Sequence, residues 1–288
     1  MNSNTEDTID PKWGECSPMH DPYILANFKA RETDVLITTA PKAGTTWMQQ
    51  ILHQLRTGGD VNFKAIDDVV PWLEIQRKGQ HWSEINANFE KIHNPRIFKT
   101  HCTYQQTPGV NTANIILSSR DPRDACISFY HHMMNMTEDA CQMVNIKQPE
   151  SFDEYFSNWM EFGAWFRNVA SWWPHKNNTN LLWLRYEDMK ADLENTIDQI
   201  LNFLNWQLDK KQKNRVLEYC SFQWMKKNAD KFSHRSENGK PLFKPGSFIR
   251  KGSVGDYKNL LSKSQEKQIL DRTHQELESE CIKFLNLK

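Results

Sequence analysis

Three residues of this chain have the types and spacing that group-transfer chemistry needs: Lys42, Lys99 and His101. Lys99 and His101 are two apart in "RIFKTH" (Arg96–His101), so at the end of a strand both point to one face. A neutral imidazole, with an ordinary pKa of about 6.5, can take a proton from a hydroxyl or amine near neutral pH. Lys42 lies in "TTAPKAGTTWMQQIL" (Thr38–Leu52), between the strand-like Val35-Leu36-Ile37 and a helical pattern. A turn of that kind gathers backbone N–H groups and a helix N-terminus around one point, which favours an anion. Gly44 lets the backbone approach, Thr45 and Thr46 add hydroxyl donors, and Lys42 reaches toward a bridging or leaving oxygen. The usual phosphate-binding loop, G-x-x-x-x-G-K-S/T, sets its lysine after the last glycine. Here the lysine comes before it.

Two further strings can hold phosphate. In "SSRDPRDACISFYHH", Arg120 ends a strand and Ser128 follows on the helix that Asp121-Pro122 opens. In "FIRKGSVGDYKNLL" (Phe248–Leu261), Arg250 and Lys251 precede Gly252, so side chains and backbone can converge on one anion. Taken alone, the first also reads as an ordinary strand–helix junction with a surface salt bridge, and the second as a solvated basic loop.

Together, and in this order, the strings resemble the cytosolic sulfotransferases. Those enzymes transfer a sulfuryl group from 3′-phosphoadenosine 5′-phosphosulfate (PAPS) and release adenosine 3′,5′-bisphosphate (PAP). The resemblance runs from about Asp34 to about Asp256. It implies that Lys42, Ala43, Gly44, Thr45 and Thr46 cradle the 5′-phosphate, that Arg120, Ser128, Arg250, Lys251 and Gly252 hold the 3′-phosphate, and that the neighbouring Phe248 and Ile249 also border the cofactor. It places Trp47 and Phe222 on the two faces of adenine, with Tyr186 also contacting it. Cys220 stands where the family prefers Thr, which removes one adenine hydrogen bond; Ala40 and Ala43 replace the family's Tyr and Ser. The K-T-H triplet implies His101 as the base for in-line attack on sulfur, with Lys99 on the sulfuryl oxygens, Lys42 on the bridging oxygen and Ser128 among the catalytic group.

The rest of "HCTYQQTP" is polar where the family is short and apolar, so Cys102, Tyr104 and His101 are expected at an acceptor that is small and carries several polar groups. Nitrogen and oxygen attack both stay open. The family's C-terminal dimer motif, K-x-x-x-T-V-x-x-x-E, is not kept: Lys258 is followed by Ser262, Lys263 and Lys267, so a monomer is expected. Two rival readings remain, a P-loop small-molecule kinase using ATP with magnesium and a non-catalytic nucleotide-binding module. Lysine order argues against the first, and the presence of Lys42, Lys99 and His101 against the second. A secretory carbohydrate sulfotransferase should show an anchor and a stem; the sequence suggests neither.

Composition agrees with a single enzyme domain. Lys+Arg and Asp+Glu are 36 each, so no global field attracts nucleic acid or an anionic membrane, and any anion must be held by a local basic cluster. The chain has 288 residues, enough for one large α/β domain. Its N-terminus has neither a basic start nor an apolar run, so a cytoplasmic location is expected. The six cysteines are scattered and no metal-ligand spacing occurs, so neither disulfides nor a metal are expected.

The elements that must position these residues follow from periodicity. Asp34–Pro41, Arg96–His101, Asn114–Arg120 and Asn180–Met189 read as strands covered on both faces. Thr45–Leu55, Pro122–His132, Phe152–Trp173, Leu193–Leu204 and Ser264–Leu285 read as helices. Their alternation predicts an α/β fold: one central parallel sheet flanked by helices, with residues 1–33 as an N-terminal extension. Residues 133–150 and 231–247 read as mobile loops over the site.

Overall fold

A computed structural model describes residues 9–236 and 239–287. Four strands, β1 (Val35–Ile37), β2 (Ile97–Lys99), β3 (Asn114–Ser119) and β4 (Leu181–Arg185), form a parallel sheet in the order β2-β1-β3-β4. The strands lack polar alternation because both faces are covered. Val35 and Ile37 pack with Met48, Ile51 and Ile197 on one side, whereas Leu36 packs with Ile24, Phe28 and Trp172 on the other. The N-terminal stretch is therefore part of the fold from the helix Pro22–Asn27 onward, and Met1–Thr8 lie outside the described residues.

The sheet is α/β and parallel as the sequence predicts, but its elements are shorter and more divided. The strand reading Asn180–Met189 stops at Arg185, where Tyr186–Ala191 turns helical. Phe152–Trp173 is two helices, because Gly163 takes φ 58° and its N–H caps Trp159 O. Ser264–Leu285 is likewise split at the extended Leu277. The stretch 133–150 is not all loop: Thr137 caps a helix over Glu138–Met143 by accepting from Ala140 N at 3.2 Å, with two acidic residues in its first turn. Met136 bridges to Phe243, tying that stretch to residues 231–247; of the latter, 237 and 238 lie outside the described residues.

The two ends of the sheet differ. At the N-terminal end, Asp34 and Arg96 are both almost fully buried and paired at 2.6 and 3.0 Å, locking the starts of β1 and β2. At the C-terminal end the chain leaves β1 toward β2 and later enters β3 on the other side. This reversal opens a crevice at the C-terminal ends of β1 and β3, the place where ligands bind in open α/β sheets.

Candidate active site

The crevice widens into a cavity of about 900 Å³. Its floor is the turn after β1. Gly44, at φ 100°, sits at the N-cap of the helix Thr45–Thr57 without a side-chain cap, so the first N–H groups of that helix are free for an anion. Thr39 Oγ1 and Thr45 Oγ1 lie 2.7 Å apart and brace the turn. A Cβ on Gly44 would stand 2.9 Å from Tyr186 Cδ2, and one on Gly252 2.9 Å from Phe222 Cδ2. The backbone there is shaped for close approach.

Arg120 leaves β3 and crosses above the floor, donating to Ser253 O at 2.9 Å and lying 4.7 Å over the Tyr186 ring. Its Nε is buried and unpartnered, a donor left for a ligand. Asp124 joins the second basic string to the site, accepting from Gly255 N at 2.7 Å and Tyr257 N at 3.0 Å. Within that string Asp256 takes Arg250 at 2.5 Å and Lys251 at 3.1 Å. Burial alone would raise Asp256; these two cations outweigh it and bring the carboxyl down to about 2. The helix opening at Pro122 is capped by Asp121, which accepts from Arg123 N at 2.8 Å, as its Asp-Pro start predicts. Ser128, half-buried on that helix, also lines the cavity.

The chemical groups meet at the other end of the cavity. Burial, then Arg120, Lys99 and Arg250, bring Lys42 down to about 7; its Nζ lies 3.0 Å from His132 Nδ1. Lys99 is 3% exposed, packs 4.6 Å over Trp72 and pairs with Asp67 at 3.5 Å. His101 Nδ1 lies 2.7 Å from Thr39 O. A carbonyl only accepts, so Nδ1 carries the hydrogen and Nε2 keeps its lone pair. Burial, reinforced by Lys99 and Lys42, lowers His101 to about 3, so the ring is neutral and able to receive a proton. Glu74, 1% exposed, accepts from the His101 N–H at 2.7 Å and fixes the backbone beneath it; burial pushes its carboxyl up.

Most residues picked out from sequence border this one cavity, though 200 or more positions separate Lys42 from Arg250 and Lys251. Three do not. The Ala43 side chain is fully buried beneath the turn, and its carbonyl accepts from Ser118 Oγ at 2.7 Å. Cys220 is fully buried as well; it contributes its carbonyl, which accepts from Trp47 Nε1 at 2.8 Å. Tyr104 turns away from the cavity: it packs edge-on to Trp172, stacks on His175 with ring centres 3.4 Å apart and donates its hydroxyl to Asn111 Oδ1 at 3.3 Å. Of the expected polar wall, Cys102, Thr103 and Gln106 reach the cavity. Sequence reading missed Asp67, Trp72, Glu74, His132 and His234, all of which line it. Asp67, Trp72 and Glu74 sit in no motif, His132 ends the string that opens at Ser118 and His234 lies in the stretch 231–247, and long-range packing brings them to one cavity.

Among the described residues no helix is long and apolar enough to cross a membrane, and no cluster of His, Cys, Asp and Glu suits a metal. Residues 32–280 match the family described as "Sulfotransferase domain". Human sulfotransferase 1C2 is 31% identical over 274 residues, covering 90% of this chain and 88% of its own. Mouse sulfotransferase 1 family member D1 is 32% identical over 276 residues, with the same coverage. The fold is also that of mouse sulfotransferase SULT7A1, solved in complex with PAP, at a TM-score of 0.69 and 22% identity over 92% of this chain and 94% of that one. A match from residue 32 to residue 280, with relatives above 30% identity along most of both chains, places this chain in the sulfotransferase family.

Proposed function

We propose that this sulfotransferase draws its sulfuryl group from PAPS and passes it to a hydroxyl or amine of a small acceptor, with His101 as the base. The observation that carries the reading is the junction of two unlike ends in one cavity. One end is a cradle of helix N–H groups, Arg120, Arg250 and Lys251, suited to a nucleotide with two separate phosphates. The other is a neutral, oriented imidazole beside two lysines. Trp47, Tyr186 and Phe222 supply the flat apolar wall that adenine needs. Lys99 and Lys42 stabilise charge on the sulfuryl oxygens and on the leaving phosphate, so the rate comes from positioning and electrostatics.

The acceptor is small and mixed in character. Thr103 and Gln106 offer polar groups along one side, and Met136, Ala140 and Met143 an apolar side from the stretch 133–150. The enzyme acts as a cytoplasmic monomer: Lys263 and Lys267, at the family's dimer positions, pair within their own helix with Glu266 and Asp271. His101→Ala is the direct test. It is expected to keep PAP affinity and to lose about 100-fold or more in turnover; near-normal turnover removes His101 as the base.

A further inference from the structure

His101 is not the only imidazole set up to receive a proton at the acceptor end. His234 Nδ1 lies 2.5 Å from Asp67 Oδ2, and its Nε2 lies 3.5 Å from Lys99 Nζ. Asp67 is itself fixed, accepting from Gln49 Nε2 at 3.2 Å, and Lys99 and His234 hold it well below the usual carboxylate range despite its burial. An ionised carboxylate only accepts, so the His234 hydrogen sits on Nδ1 and the Nε2 lone pair faces Lys99 Nζ at the cavity wall. Both imidazoles pack on Trp72, with ring centres 5.2 Å away for His101 and 6.2 Å for His234, and both line the same cavity. Phe248, edge-on at 5.2 Å, confines His234 from the other side.

The two histidines differ in what backs them. Behind His101 is a neutral carbonyl. Behind His234 is a carboxylate, which fixes the tautomer and balances the charge of an imidazolium once formed. A low-pKa acceptor needs little help, whereas an alcohol needs the better-supported base. We propose that His234, held by Asp67, is a second proton acceptor for the acceptor substrate, occupied by Lys99 until the donor's sulfuryl group draws that ammonium away. This rests on the sulfotransferase reading. The acceptor's oxygen or nitrogen bonds to sulfur, and the bond from sulfur to the 5′-phosphate oxygen breaks with its electron pair leaving on PAP. The acceptor proton passes to His234 Nε2.

The test uses the full chain with Asp67→Asn and His234→Gln. Turnover with PAPS is measured for 2-phenylethanol and 4-nitrophenol, and PAP affinity is measured by calorimetry. Both variants are expected to keep PAP affinity, to lose about 100-fold in kcat with the alcohol, and to stay within a few-fold with the nitrophenol, which is easily ionised. Lys99 on β2, His101 just after it, Lys42 in the turn after β1 and His132 on the helix Pro122–Met134, which share the cavity with His234, are left untouched. Equal losses with both acceptors would mean a structural role and overturn the proposal, as would unchanged turnover of the alcohol. Imidazole ¹⁵N spectra of the PAP complex decide the matter without an acceptor. The proposal requires hydrogen on Nδ1 of His234 in the native protein and on Nε2 in Asp67→Asn; hydrogen on Nε2 in the native protein refutes it. Failure of PAP to bind the native protein would instead sink the donor assignment.

Discussion

His101 and Lys42 are both held away from their ordinary protonation, and both consequences are measurable. His101 stays neutral in the fold down to about 3, whereas a free imidazole protonates at about 6.5. The unfolded chain therefore takes the extra proton, and stability falls as pH drops from about 6.5 toward 3. Scans of Tm against pH should show this limb, to which His53 and His132, also held neutral by burial, contribute, and His101→Gln should make it shallower; an unchanged slope would mean that the other histidines carry it. Lys42, brought to about 7, is only partly ammonium near neutrality, and an anion beside it restores the proton. PAP binding at about pH 8 should thus take up a proton from the buffer, seen as a binding heat that depends on the buffer's ionisation enthalpy. Lys42→Met should abolish that dependence. A native heat that is the same in all buffers would rule out Lys42 as the group that titrates.

The elements matter because turns carry the binding groups and the sheet sets their distances. Gly252 combines φ 58° with a Cβ position 2.9 Å from Phe222. Gly252→Ala should push the ring out of the adenine wall, add about 1–3 kcal/mol of local strain and weaken PAP by roughly tenfold or more. Arg250→Ala should weaken PAP far more than adenosine 5′-phosphate, which lacks the 3′-phosphate; equal losses would place that phosphate elsewhere. At the opposite end of the sheet, Asp34→Ala removes the fully buried carboxylate of Arg96 and leaves it Glu90, 2.7 Å away, so it is expected to cost about 2–3 kcal/mol, lowering Tm without changing PAP contacts. A stability loss under about 1 kcal/mol would show that water reaches the pair.

For the molecule as a whole, the decisive property is which nucleotide the fold stabilises. At about 100 times its dissociation constant a ligand adds roughly 2.7 kcal/mol to stability. PAP should raise Tm where adenosine 5′-phosphate and ATP with magnesium do so little. Stabilisation by ATP with magnesium alone would bring back the kinase reading. The family, the α/β class and the strings that meet at the cavity were legible in the sequence because they are short: a strand, a turn and a helix start within about ten residues impose their own geometry. Gly163 and Leu277 escaped notice because apolar spacing continues across each break, and the left-handed or extended residue there is chosen by packing. The other end of the cavity was legible only in part: Lys99, His101 and Cys102 line it as their string suggests, but most of its charged and aromatic wall was not. Asp67, Glu74, His132 and His234 are ordinary residues in their local contexts, and Tyr104 lies close to the Lys-Thr-His triplet in sequence yet packs away from the cavity. The sequence alone thus determined the reaction class, since local motifs encode phosphate binding. Which side chains surround the acceptor was decided by tertiary structure, which brings Asp67 and His234 to Lys99 across 32 and 135 positions of chain.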